Sequence, residues 1–406
     1  MDRLIFHVDV NSAFLSWEAT RRVANGEEDL RLVPSAVGGD PASRRSIIAA
    51  KSIPAKKYGI NTGEPVSMAL RKCPSLIVVK PDFALYKECS KAFIAICREY
   101  APKLEQFSID ECFLDMTGTS LIYPDPIATA HEIKDKIRDT LGFTVNIGIG
   151  SNKLLAKMAS DFQKPDRVHT LFFDEIESKM WPLPVGDLFL AGKASTDKLI
   201  KFGFKTIGDV ARANIEDIKL AVGSGMGETL YAYANGRDDS EVNEEREDAK
   251  SYSMSNTLEE NVISTQQAYP ILRSLSDNVG YRIRHDNVMT SCVGVTIRNT
   301  DFVDRSHQRK LNEPTDISSE IYEVAVSLFN ELWDRHTPLR LINVSLSDIS
   351  KEDEPYQISL FRNEQKEKAR KVDRALDSLQ NKFGKGAVMR GSAYIKNRNE
   401  EQTNQD

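Results

Sequence analysis

The chain has 406 residues, 40% of them hydrophobic and 28% charged, with a formal net charge of −6. That length exceeds one ordinary core and predicts two to four domains. No apolar run can span a bilayer, no signal-peptide layout opens the chain, and the five cysteines show no CxxC pair or zinc spacing, so a reduced cytoplasmic protein is expected.

Leu4 to Val8 reads as a buried strand ending at Asp9, and an amphipathic helix follows within residues 1–30. Residues 31–70 are rich in Gly, Pro and Ser and locally basic. Between positions 31 and 72, Arg31, Arg44, Arg45, Lys51, Lys56, Lys57, Arg71 and Lys72 face only Asp40 and Glu64, so the acidic total does not exclude a nucleic-acid partner. Tyr86 to Glu99 has helical periodicity. Phe107 to Met116 reads as strand, turn and strand, with Asp110 and Glu111 at the corner and Cys112 as a small buried strand residue. Pro126 to Asp139 predicts a helix and Phe143 to Ile149 a strand. Residues 169–235 read as mostly helical. Gly236 to Lys250 is acidic and aperiodic and predicts an exposed linker. Thr265 to Arg284 and Ser318 to Asp334 follow as helices, Thr290 to Arg298 and Leu341 to Leu346 as strands. Glu367 to Lys382 reads as a helix and Asn397 to Asp406 as a disordered tail. The fold class is α+β and multidomain.

Asp9, Asp110 and Glu111 are candidates for one divalent-metal site. Magnesium takes oxygen ligands and usually only one or two carboxylates plus substrate phosphates. A pair of such ions clamps the attacking and leaving oxygens of a phosphoryl transfer. On spacing alone, adjacent acids are more often a polar turn than a metal site.

The segments His7-Val-Asp-Val-Asn-Ser-Ala-Phe14-Leu-Ser-Trp-Glu18, Ser108-Ile-Asp-Glu111 and Gly148 to Asp161 lie in the order and at the spacing of Y-family translesion DNA polymerases. The chain resembles that family from residue 1 to about residue 395, with the bacterial polymerase IV and polymerase V catalytic-subunit branches nearest. The resemblance implies a right-hand architecture: palm at 1–30 and 71–168, small fingers at 31–70, helical thumb at 169–235, linker at 236–250 and little finger at 251–350. A C-terminal region, 351–406, would follow.

It further implies error-prone, template-directed lesion bypass on primer-template DNA with deoxynucleoside triphosphates, in SOS-type damage tolerance. Asp9, Asp110 and Glu111, with the Val10 carbonyl, would hold two Mg2+ ions. Phe14 would be a steric gate against the 2′-hydroxyl, beside Asn11, Ser12 and Ala13. Lys56 and Lys164, the latter in Lys164-Pro-Asp166, would bind the triphosphate. The chain departs from the family at Ala50, Ile53 and Lys56, where Thr, Tyr and Arg are usual, so two hydroxyl donors and one guanidinium are missing. Lys51 and Ser52 are the neighbouring substitutes.

Gly192 and Lys193 lie in a stretch resembling a helix-hairpin-helix that holds a DNA phosphate by backbone N–H groups, with Leu190 at the usual first hairpin glycine. Gly223-Ser-Gly-Met-Gly227 reads as a second hairpin or as a helix-ending glycine turn. Residues 281–310 carry six Lys or Arg against three acids. Arg282, Arg284, Arg298 and Arg305 there are candidate phosphate contacts or a solvated surface. Gln357-Ile-Ser-Leu-Phe361 resembles a sliding-clamp peptide, with Gln357 as polar contact and Leu360 and Phe361 as anchors. Accessory subunits are a further possible partner. A palm-type nucleotidyl cyclase and a non-catalytic DNA-binding accessory protein remain the other readings.

Overall fold

The computed structural model describes residues 3–245, 248–351, 364–384 and 388. The chain forms two compact units, Met1–Arg246 and Glu247–Asp406. No helix among the described residues is long and apolar enough to cross a membrane.

In the first unit, β1 (Ile5–Val10) is buried along its whole length, as a central strand requires. Helix α1 (Ala13–Ala24) follows it. The next three strands, β2 (Ser35–Gly38), β3 (Ile48–Lys51) and β4 (Ile77–Val79), form their own sheet in the order β3-β2-β4, with α2 (Ile53–Lys56) and α3 (Val66–Lys72). Ala36, Ile48, Ile60, Val66 and Leu76 fill a small core beneath it. The expected boundary at residue 70 falls inside α3, and the body runs on to Val79. Local basicity marked this segment in the sequence, whereas the parallel pairing of β4 with β2 decides where it ends.

Helix α4 (Phe83–Arg98) starts where the Asp82 carboxylate accepts the Ala84 and Leu85 N–H groups. Strands β5 (Lys103–Gln106) and β6 (Glu111–Asp115) are joined by a turn that carries Asp110. Helix α5 (Pro126–Leu141) opens on an Asp125 cap and a first-turn proline and stops at Gly142, whose φ of 76° is left-handed. Strand β7 (Val145–Gly150), α6 (Lys153–Ser160) and β8 (Val168–Leu171) complete a five-stranded sheet in the order β5-β6-β1-β7-β8. Gly148 lets α6 lie directly on β7: a Cβ there would sit 2.0 Å from the Ala156 carbonyl oxygen. That approach brings Lys157 over the strand ends.

Four short helices follow, α7 (Lys193–Lys201), α8 (Ile207–Arg212), α9 (Ile215–Val222) and α10 (Ser224–Ala234), around Leu199, Ile207, Val210, Ile218 and Leu230. Leu190, at the usual glycine position, has a left-handed φ of 68°. Gly223, at φ 94°, turns α9 into α10.

The stretch expected as an exposed linker is in part tied to the first sheet. Arg3 donates to the Ser240 carbonyl (2.7 Å), Asp238 accepts from Leu154 N–H (3.1 Å), and Asn243 N–H donates to Glu105 (2.8 Å). Val242 is buried beside Ile5, Phe113 and Ala156. Asp238 meets the start of α6, where a helix favours negative charge. Acidity here reflects that partner rather than freedom.

The second unit is a four-stranded antiparallel sheet in the order β11-β10-β12-β9, made of β9 (Tyr252–Val262), β10 (Val288–Asn299), β11 (Asp304–Thr315) and β12 (Leu339–Lys351). Helices α11 (Thr265–His285) and α12 (Ser318–Leu332) pack on it through Leu272, Val279, Ile321, Leu328 and Phe329. Helix α13 (Glu364–Phe383) joins this unit by charge. Its Asp377 receives Arg284 bidentately at 2.6 and 3.0 Å, and its Arg370 reaches Asp316 at 2.7 Å.

Candidate active site

Asp9 pairs with Glu111 across β1 and β6, so both carboxylates leave the same face of the sheet. Lys157 stands between them, 3.3 Å from Asp9 and 3.1 Å from Glu111, and reaches Asp161 at 3.2 Å. Lys164 lies 3.0 Å from Asp9 and 2.9 Å from Asp161. Burial, reinforced by Glu111, pushes the Asp9 carboxyl up to about 6 against the pull of the two lysines. Glu111 goes the other way: burial opposes its ionisation, yet the facing His7 ring and the Lys157 charge hold it well below the usual carboxylate range. The Lys157 ammonium is held above its usual range, because Asp9, Asp161 and Glu111 outweigh the cost of burial.

His7 is fully buried. Its Nδ1 shares a hydrogen bond with the Ser160 hydroxyl (2.8 Å), and its Nε2 faces Glu111 at 3.5 Å. Burial lowers its pKa to about 4, so the ring is neutral at pH 7 and orients Glu111 without adding charge.

The three acids do not gather at one point. Asp110 sits in the β5–β6 turn and accepts from its own Ser108 hydroxyl at 2.7 Å. Among the described residues no three His, Cys, Asp or Glu side chains form a ready cation site. Like charges repel, and the lysines already balance Asp9 and Glu111. What fits a hard divalent cation is the donor chemistry of one wall: Asp9, Val10 and Asp110 line a single cavity, and all offer oxygen.

That cavity has a volume of about 410 Å³, within the usual range for small-molecule sites. Ser12, Ala13 and Phe14 continue the wall, and Ala49, Ala50, Lys51, Lys56 and Thr62 face them. Ser12 has a left-handed φ of 49° and no side chain caps α1, which leaves the first N–H groups of the helix for a ligand. The Phe14 ring stacks on Tyr86 (centroids 4.6 Å, 11°) and meets Phe83 edge-on at 6.1 Å. It is thus packed behind and bare toward the cavity.

Asn11 departs from its expected role. Its Oδ1 accepts from Thr144 (3.0 Å) and Asp166 N–H (2.9 Å), and its Nδ2 donates to Asn146 (3.1 Å). Both ends of the amide are spent on tying the Lys164 loop to β7. Lys164 rests on Asp9 rather than on the cavity lining, whereas Lys56 lines it.

The expected DNA contacts divide. Gly192 caps α7 and Lys193 begins it, both at the surface, and Arg305 is exposed. Arg282 donates to the Ser253 carbonyl (2.8 Å) and lies over Tyr252, and Arg298 forms a bidentate pair with Asp304 at 2.6 and 2.7 Å. Arg284 is not a surface contact: its side chain is 6% exposed, between Asp373 and Asp377 of α13. Its basic neighbours suggested a surface role in the sequence, but α13, about 90 residues away, covers it. Gln357, Leu360 and Phe361 lie outside the described residues.

In the sequence His7 reads only as a residue of the first strand, and Lys157 does not stand out from its motif. The signal for Lys157 was its place on a helix face shared with Leu154 and Met158, since a lysine among apolar residues needs a buried partner.

Residues 8–161 match the impB/mucB/samB family, and residues 249–360 match the C-terminal domain of the same family. DNA polymerase IV of Clostridium acetobutylicum is 42% identical over 96% of this chain and 98% of its own length. DNA polymerase IV of Clostridium kluyveri is 36% identical over 98% of this chain and 100% of its own. In fold, a Y-family DNA polymerase chimera aligns with a TM-score of 0.74 at 22% identity, covering 86% of this chain and 99% of that one. DinB from Sulfolobus solfataricus aligns at 0.55 and 23%, covering 85% and 98%. Motifs, fold and relatives over nearly the full length agree: this chain belongs to the Y family of translesion DNA polymerases.

Proposed function

We propose that this chain adds deoxynucleoside monophosphates to a primer 3′-hydroxyl under template direction, with release of pyrophosphate, in lesion bypass of the SOS damage-tolerance type. The carrying observation is one cavity that joins carboxylates from β1 and the β5–β6 turn to an aromatic wall and two lysines. Asp9 and Asp110, with the Val10 carbonyl, would hold two magnesium ions there together with Glu111, which in the metal-free fold is paired with Lys157. Bound there, divalent cations lower the pKa of the primer hydroxyl and neutralise the triphosphate. Ser12, Ala13 and the uncapped start of α1 receive phosphate oxygens, and Lys56 and Lys164 add positive charge.

In this reading the five-stranded sheet is the palm, the three-stranded body the fingers, α7 to α10 the thumb and the second unit the little finger, in a cytoplasmic enzyme. The start of α7 at Gly192 and Lys193, and the exposed Arg305, bind phosphates of primer-template DNA without reading bases. The test is primer extension on undamaged and lesion-containing templates. The intact chain extends both in a divalent-dependent manner, and an Asp110→Ala, Glu111→Ala variant does not. No divalent-dependent extension by the intact chain would sink the reading.

Phe14 excludes the 2′-hydroxyl by occupying the space beneath the sugar. Phe14→Ala raises ribonucleotide incorporation by at least about tenfold relative to deoxyribonucleotide, a modest demand for a pocket that stops excluding one hydroxyl. Unchanged sugar discrimination in single-nucleotide assays counts against the gate. Gln357, Leu360 and Phe361 engage a sliding clamp. Leu360→Ala with Phe361→Ala abolishes clamp-stimulated synthesis and keeps basal synthesis, whereas equal loss of both refutes the contact.

A further inference from the structure

The fingers-side wall of the cavity is chemically unusual for its neighbourhood. Lys157 and Lys164 are each paired with carboxylates, and Lys72 sits on Glu64. Lys51 and Lys56 line the cavity, and among the described residues neither ammonium group takes part in a hydrogen bond or ion pair. Lys51 ends β3, in register with Ala36 of β2, and Lys56 ends α2, so both are fixed by regular structure.

Ser52 cannot supply the missing hydroxyl. It is 1% exposed, accepts from Ala55 N–H (3.1 Å) and Ser35 N–H (3.0 Å), and donates to the Val33 carbonyl (2.8 Å). It caps α2 and pins that helix to β2. The polar groups that this wall offers the cavity are therefore Lys51, Lys56 and Thr62.

Burial, and then the nearby Lys56 charge, lower the Lys51 pKa against a smaller pull from Glu64, which is itself paired with Lys72. Two cations held near one another repel, and a polyanion bound between them relieves that repulsion. The acids on the opposite wall, Asp9 and Asp110, suit the cation that would accompany that polyanion.

We propose that Lys51 is a triphosphate ligand of this chain, acting with Lys56 as a two-lysine clamp in place of the family's hydroxyl donors. The inference rests on the nucleotide-binding reading above and adds to it a residue and a charge requirement. A clamp made of point charges is less directional than hydroxyls and a guanidinium fork. It responds to charge on the phosphates more than to their placement.

The test is single-turnover incorporation across a range of deoxynucleotide concentrations, with inorganic tripolyphosphate as a competitor that lacks base and sugar. Lys51→Ala weakens the apparent affinity for deoxynucleotide and for tripolyphosphate by about ten- to a hundred-fold, the usual weight of a charged hydrogen bond. Lys51→Arg restores most of the loss, and primer-template affinity stays within about twofold of the parent. An active parent whose Lys51→Ala variant binds tripolyphosphate equally well overturns the clamp and leaves the polymerase reading intact. So does a loss confined to particular templating bases, or one that falls on DNA affinity. A parent that extends no primer overturns both together.

Discussion

Asp9→Asn extends a primer about a thousandfold or more slowly than the parent, and yet its metal-free form melts no lower. The first effect follows from position. Asp9 faces the cavity from near the end of β1, and in the proposed reaction removing the anion forfeits several kcal/mol of charge stabilisation, at about 1.4 kcal/mol for each tenfold in rate. The second follows from the raised carboxyl. A group whose folded pKa exceeds its unfolded value favours the folded state most below the unfolded pKa and loses that contribution as pH rises through the folded one. For Asp9 the window runs from 3.8 to about 6, so at pH 7 its ionisation works against the metal-free fold. A neutral amide removes that cost, and Lys157 and Lys164 keep Asp161 as a partner. The same shift predicts that the parent needs about tenfold more divalent cation per pH unit below 6, since protonated Asp9 cannot ligate. Rates within tenfold of the parent, or a clear fall in the melting temperature, would contradict this account.

Arg284→Ala destabilises the second unit by about 3–5 kcal/mol, the usual result of removing one partner from a buried charge network. Arg284 also donates to the Asp316 carbonyl (2.6 Å) and the Ser318 hydroxyl (3.0 Å), so one guanidinium joins α11, the start of α12 and α13. For a unit of this size the melting temperature falls by roughly 10 °C, and protease cuts α13 first because its docked face is mostly charged. The DNA-binding salt slope stays unchanged, whereas a phosphate contact would lower it by about one. A loss under 1 kcal/mol, or a reduced slope, would return Arg284 to the DNA surface.

Local patterns were legible where one element decides its own shape. Tyr86 to Glu99 and Pro126 to Asp139 were visible as helices from periodicity and are observed as Phe83–Arg98 and Pro126–Leu141. β11 was harder to bound. Its first seven residues, Asp304 to Lys310, are all polar, and only pairing with β10 makes them a strand.

The sequence by itself determined the family, because its motifs are residue identities at fixed spacings along one chain, and the same motifs supplied the candidate carboxylates and the candidate gate. Only the tertiary structure decided which charges neutralise each other. It put Lys157 between Asp9 and Glu111, spent Asn11 on the Lys164 loop, buried Arg284 under α13 and left Lys51 beside Lys56 over the cavity. The reason is physical: a charge is defined by what lies within a few ångströms of it, and those neighbours come from elements up to about 150 residues away.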